Sequence, residues 1–196
     1  MKRTADGAAA PGTTGTVVYR VARPEDGEAV AGIDTSFTTD SVFEVTGGDG
    51  GFRVVETRVE PPVHKVFPAD DADGGGEDSE GGPGPGRTVV ALDGGEVCGF
   101  VTASFAPWNR RLTIRDIAVA PAWRGRGVGR TLMRHAVGFA KECGAAHVWL
   151  EVSNVNAPAV HAYLRAGFVL CGLDTSLYEG TDSAGEVALF MSRRVD

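Results

Sequence analysis

Residues 114–137 read IRDIAVAPAWRGRGVGRTLMRHAV, and residues 147–168 read HVWLEVSNVNAPAVHAYLRAGF. In the first stretch an apolar strand runs into Arg124-Gly125-Arg126-Gly127-Val128-Gly129, and an amphipathic helix follows directly. Glycines let a backbone approach a diphosphate closely, and the first turn of a helix offers unpaired N–H groups at its partly positive end. Arg124, Arg126 and Arg130 add cationic donors suited to phosphate oxygens. The pattern reads as an anion site. It is not a nucleotide P-loop, because no Gly-Lys-Ser/Thr follows the glycines to serve a γ-phosphate and its magnesium. Nor does it have the G-x-G-x-x-G spacing of a dinucleotide fold.

The second stretch sets Asn156, Ala159, Tyr163, Gly167 and Phe168 in the frame N-x-x-A-x-x-x-Y-x-x-x-G-F. Together the two stretches resemble the GNAT superfamily of acyl-CoA-dependent N-acetyltransferases. The resemblance implies an α/β fold with a mixed, mostly antiparallel central sheet flanked by helices. That sheet splays between the family's fourth and fifth strands, here residues 111–119 and 147–152. It also implies that acetyl-CoA is the acetyl donor, with its pyrophosphate on Arg124, Gly125, Arg126, Gly127, Val128, Gly129 and Arg130. Backbone groups of Ile117, Ala118 and Val119 would hold the pantetheine like an added strand. Asn156 and Ala159 would anchor the cofactor, and Asn154 would serve either the cofactor or its own turn.

Three further segments narrow the resemblance: IDTSFTTDSVFEV (33–45), PWNRRLTIRDIAVAP (107–121) and CGLDTSLYEGT (171–181). They are similar to streptothricin N-acetyltransferases, the nourseothricin-resistance enzymes, over roughly residues 16–193. The implied substrate is a cationic amine, streptothricin, acetylated on its β-lysine moiety. Asp34, Asp40, Glu44, Trp108, Asp174, Tyr178 and Glu179 are the candidate substrate wall. One departure stands out: Arg115 occupies a strand position where such enzymes lead one to expect a carboxylate. Another GNAT activity, on a protein N-terminus or a polyamine, is the alternative, and a non-catalytic acyl-CoA-binding regulator is a third reading.

The chemistry needs a free amine, and neutralising a lysine-like amine of pKa near ~10.4 at pH 7 costs about 4–5 kcal/mol. A carboxylate can take that proton, directly or through water. Glu151 and Asp116 are the candidates; a salt bridge or solvated strand position is the other reading of Glu151, a structural hydrogen bond that of Asp116. Tyr163 holds the family's proton-donor position for the leaving thiolate, or else packs the pantetheine arm.

Composition bounds the rest. The chain has 196 residues, 42% hydrophobic, enough to bury one core. Its net charge of −7 is concentrated: residues 69–82 hold six acids and no base, leaving 20 acids against 19 bases elsewhere. A body so nearly neutral lacks the basic face of a nucleic-acid binder. Residues 1–15 read as a flexible tail, 16–196 as a single domain, and 69–86 as a mobile acidic Gly-rich loop too polar to offset its ordering entropy. Cys98, Cys143 and Cys171 are odd in number and without metal-ligand spacing, which points to buried or semi-buried thiols, a cytoplasmic location and no metal. No apolar run is long enough to span a membrane, and the oligomeric state stays open, a homodimer included.

Local patterning predicts strands at 17–22, 52–59, 88–92, 97–105, 111–119, 147–152, 169–173 and 187–191. Helices are expected from Pro24, with Ala29, Val30 and Ile33 inward, and at 131–143 and 158–165. Residues 33–45 are expected as an acceptor loop, and Pro61-Pro62 as the end of a strand.

Overall fold

The computed structural model describes residues 16–48, 50–66 and 84–196. The expected tail at 1–15 and nearly all of the expected loop at 69–86 lie outside them.

Among the described residues, nine strands and three α-helices follow the order β1 (Val18–Val21), α1 (Gly27–Ala31), β2 (Phe37–Gly48), β3 (Gly51–Lys65), β4 (Gly86–Asp93), β5 (Glu96–Ala106), β6 (Arg111–Val119), α2 (Val128–Glu142), β7 (His147–Ser153), α3 (Ala157–Arg165), β8 (Val169–Asp174) and β9 (Ala188–Arg194). Seven strands form one sheet in the order β1-β4-β5-β6-β7-β9-β8. Every neighbouring pair in it is antiparallel except β6 and β7, which are parallel. The β4–β5 turn uses Gly94 and Gly95 at φ of 59° and 95°, the left-handed pair that a two-residue hairpin loop matching strand twist demands.

The core lies between this sheet and α2. Leu132, Met133, Ala136, Val137, Phe139 and Ala140 recur at helical spacing and are all buried, against Val101, Leu112, Val148 and Leu150 of the strands. Leu132 has no accessible surface. Leu132→Ala is expected to destabilise the fold by about 2–5 kcal/mol, the transfer loss plus the cavity left behind. Urea unfolding measures this, and a loss below about 1 kcal/mol would mean that the helix is not a core element.

Three expectations need correction. Residues 33–45 are mostly strand, not loop: β2 pairs along its length with β3 as a separate two-stranded sheet. The run Phe37-Thr38-Thr39 already alternates buried and exposed, and β-branched residues suit that pleat. Nor do Pro61-Pro62 end their strand. Between Thr39↔Val63 and Ser41↔Arg58 the register slips, so residues 59–62 bulge opposite Asp40 alone. A bulge removes the ladder bonds that proline cannot donate. Finally, Ala29 is exposed, because α1 is a five-residue helix behind a 3-10 turn at Pro24–Asp26. Val30 and Ile33 do pack inward, on Val90, Phe100 and Ala118. The buried member of the turn is Asp26, whose carboxylate accepts Arg20 Nη1 and Nη2 at 2.6 and 2.9 Å and sits near pKa 2 because of that bond.

Candidate active site

A cleft opens where β6 and β7 part. They pair only at Arg111↔His147, Leu112↔Val148 and Thr113↔Trp149. The cause is visible on the other edge of β6. Thr102 faces Asp116 and Ala103 faces Ile114, so Arg115 is an extra residue, a β-bulge. Bulges bend a strand and increase its twist. Beyond Thr113 the β7-facing edge of β6 has no strand partner, and Ile117, Ala118 and Val119 lie on that stretch, where an extended ligand could add as a strand once Val119 O, which accepts Arg124 Nε, is allowed for. Arg115 itself is exposed and donates from Nε to Ser104 Oγ at 2.9 Å, which explains how a cation is tolerated there.

At the end of β6 the chain makes a 3-10 turn at Pro121–Trp123 and enters α2. The helix begins at Val128, three residues before the predicted Thr131, because Gly127 at φ 86° turns the chain straight into its first turn. Gly125 is also left-handed, at φ 74°. Gly127 caps the helix without a side chain and no acid stands in the first turn, so the N–H groups there have no side-chain competitor. A Cβ at Gly125 or Gly127 would meet nothing within 4 Å: both glycines face open space. The geometry fits a diphosphate. Arg126 and Arg130 are exposed beside it, without hydrogen-bond or ion-pair partners among the described residues. Arg124 is different. Its guanidinium donates to Val119 O at 2.8 Å, Ser36 O at 2.6 Å and Asp34 O at 2.9 Å. It braces the turn against the segment before β2, a role that the arginine-phosphate expectation did not include.

The three expected catalytic residues share one environment. Glu151 lies on β7, Asp116 on β6 just past the bulge, and Tyr163 on α3. Burial raises the Asp116 carboxyl, with only the Ile117 N–H to offset it, and no cation pairs with it among the described residues. Burial also raises Glu151, opposed by a hydrogen bond donated from Tyr178 Oη and reinforced by the charge of Glu186. The Tyr163 phenol is pushed up by burial, then by the charges of Asp116 and Glu151, so it stays protonated throughout the neutral range. Its ring leans on Phe168 with centroids 6.1 Å apart, and its hydroxyl has no hydrogen-bond partner among the described residues. Two carboxyl groups poised upward and one protonated phenol are what a deprotonation coupled to thiolate release requires.

Three other expected site residues make contacts within the fold. Asn154 stitches three segments together: Nδ2 donates to Phe43 O at 2.8 Å and Oδ1 accepts Val187 N at 2.8 Å. These bonds join it to β2 and to the residue just before β9 rather than to its own turn. Asn156 caps α3 by accepting Ala159 N at 3.2 Å, which also fixes Ala159 in the first turn.

The expected substrate wall is only partly assembled. Tyr178 reaches Glu151. Asp34 accepts Ser36 N at 2.9 Å beside Arg124, at the phosphate turn. Asp40 and Glu44 are exposed on β2, bonded to Arg58 at 3.2 Å and Thr57 at 3.0 Å. Asp174 accepts Ser176 N at 2.8 Å, and Glu179 is exposed on the following turn. Trp108 is 67% exposed in the β5–β6 turn, at the closed end of the β6–β7 junction. An open groove of about 540 Å³ adjoins α3, lined by Asp40, Ser41, Glu56 and His161 among others. Glu56 there accepts Ser41 Oγ at 2.8 Å and lies 3.1 Å from His161 Nε2. Sequence reading missed Glu56 and His161; β2–β3 register sets Glu56 beside Ser41, and the packing of α3 on that hairpin brings His161 to it.

Cys98 is buried, Cys143 half-buried and Cys171 exposed, the last against expectation. Among the described residues, no cluster of three metal-ligating side chains is present, and no helix is long and apolar enough to cross a membrane.

A cleft at a parallel strand junction, a glycine turn feeding a helix and a buried phenol that feels the charges of two carboxyls with raised proton affinity are the features of an acyl-CoA-dependent N-acetyltransferase. Residues 55–168 match the acetyltransferase (GNAT) family, and the chain belongs to it. It is 54% identical, over 90% of this chain and 94% of the relative, to a protein named streptothricin acetyltransferase from Streptomyces lavendulae. The crystal structure of nourseothricin acetyltransferase superposes with a TM-score of 0.82 at 52% identity, covering 92% of this chain and 99% of that one. A Bacillus anthracis protein solved in complex with acetyl coenzyme A gives a TM-score of 0.73 at 25% identity, over 92% and 98%. The expected fold class, the mixed and mostly antiparallel GNAT sheet with its splayed pair, is the one observed.

Proposed function

We propose that this enzyme inactivates streptothricin by transferring an acetyl group from acetyl-CoA to an amine of the antibiotic, on its β-lysine moiety. The observation that supports the chemistry is that Asp116 on β6, Glu151 on β7 and Tyr163 on α3 share one electrostatic environment beside the β6–β7 junction, the two carboxyls both acting on the phenol. The substrate class is supported by likeness along nearly the whole chain to streptothricin and nourseothricin acetyltransferases. The acids of the β2–β3 hairpin, Asp40, Glu44 and Glu56, give a cationic molecule a negative approach.

Bound acetyl-CoA supplies a thioester carbonyl open to attack by a neutral amine. Val128, Gly129 and Arg130 offer backbone N–H groups to its pyrophosphate, with Arg126 and Arg130 as cations. The β6 edge at 117–119 orients the pantetheine. Glu151 receives the proton of the acceptor ammonium at a carboxylate oxygen, and its raised affinity for protons suits it to that exchange near neutrality. Asp116 is the second candidate acceptor, and its charge acts on the same phenol. Tyr163 holds its proton at Oη for the departing sulfur.

The sign of the pH effect follows. Activity of the wild type falls as pH drops through the elevated Glu151 value, because the protonated carboxyl accepts nothing. In Glu151→Gln that limb is replaced by a rise toward the amine's own value of about 10. A pH–rate profile identical to wild type would remove Glu151 from the base role. In cells, expression in a streptothricin-sensitive bacterium is expected to restore growth on the drug. Growth unchanged by expression of soluble protein would count against the proposed substrate.

A further inference from the structure

Near Glu151 lies a partly buried charge pair that the reaction as described does not use. Lys65 Nζ, at the last position of β3, stands 2.5 Å from Glu186 Oε1, and each side chain keeps only 14% of its surface exposed. Lys65 also donates to Ser183 Oγ at 2.8 Å. The second oxygen of Glu186 accepts the hydroxyl of Ser153. Ser153 and Glu151 are two apart on β7 and therefore share one face of the strand. The 175–187 segment thus touches that face twice, with Tyr178 on Glu151 and Glu186 on Ser153, and Lys65 pins it from a different sheet.

Stability alone is a poor reason for such a pair, since desolvating two ions tends to cancel their attraction. Its place gives a better one. We infer that Lys65 and Glu186 form a positioning pair for Glu151: they hold the 175–187 segment against β7 and set the charge field in which Glu151 takes a proton. The inference rests on the reading of Glu151 as the base. The groups facing that carboxyl are Tyr178 and Glu186 from the β8–β9 segment, Tyr163 from α3 and, through Glu186, Lys65 from β3; Asp116 from β6 faces Tyr163 on the other side. Glu186 raises the proton affinity of Glu151, and Lys65 neutralises Glu186.

The test is the acid limb of kcat/KM against pH. Lys65→Met leaves a bare carboxylate beside Glu151, and the limb is expected to move up by about one pH unit. Glu186→Gln removes the neighbouring carboxylate charge that raises Glu151, and the limb moves down. The double variant Lys65→Met/Glu186→Gln returns close to wild type, and Lys65→Arg preserves the wild-type limb. A merely structural pair would lower the rate in all variants without opposite shifts. Shifts of one sign in both single variants, or no shift in either, would overturn the inference. Glu186→Gln keeps the shape of the side chain and decides the matter alone if Lys65→Met does not fold, because an unmoved or rising limb contradicts the pair's role. Glu151→Gln is measured in parallel. If it retains the acid limb, the base assignment fails; if it abolishes the limb while Glu186→Gln leaves it in place, only the positioning role fails.

Discussion

Tyr163→Phe is expected to lower kcat by about 10²–10⁴ while acetyl-CoA binds nearly as in wild type. The substitution keeps the ring and its packing on Phe168, and removes only the hydroxyl. Because burial and two neighbouring carboxyls hold that hydroxyl protonated, it is a proton donor and not a phenolate at working pH. A loss below tenfold would mean that the ring merely packs the cofactor arm. An equal loss in kcat and in acetyl-CoA affinity would point to a binding role instead.

The second large effect is on the phosphate turn. Gly127→Val is expected to raise the Kd for acetyl-CoA about 100-fold, some 2.7 kcal/mol, by calorimetry on folded protein. Two costs combine. A β-branched residue at φ 86° costs about 1–3 kcal/mol, which a domain of about 5–15 kcal/mol survives. The new side chain would also occupy the open space that the glycine now leaves beside the first-turn N–H groups. Gly127→Ala pays much of the backbone strain with less bulk and should lose less affinity. Unchanged affinity in a folded valine variant would remove the phosphate-turn assignment.

What was legible in the sequence was local. Leu132, Ala136, Phe139 and Ala140 announce one helical face, and the glycines ahead of them a turn that only small residues permit. Tyr163 could be proposed from a short motif, and Glu151 and Asp116 from the strands that flank the glycine turn and its helix; that both carboxyls act on the phenol is visible only in the fold. The misreadings share a different cause. Residues 33–45 carry Asp, Ser and Thr that resemble a loop, and only pairing with β3 makes them a strand. Pro61-Pro62 looked terminal because the bulge that absorbs them is set by the partner strand. Arg124 stands in the phosphate motif, yet its donors are taken by carbonyls on a segment almost ninety residues earlier. Lys65 and Glu186 are 121 positions apart and meet only after two sheets have formed. Chemistry encoded within one turn of chain can be read directly; chemistry assembled by register cannot.

The most direct measurement is thiol release from acetyl-CoA by the purified enzyme, with streptothricin, spermidine and an N-terminal peptide as competing acceptors and the products identified by mass. The account predicts rapid release with streptothricin, one acetyl group gained on its β-lysine moiety, and kcat/KM for the other two lower by at least about a hundredfold. Comparable or faster release with spermidine or the peptide, or binding of acetyl-CoA without turnover of streptothricin, would contradict it.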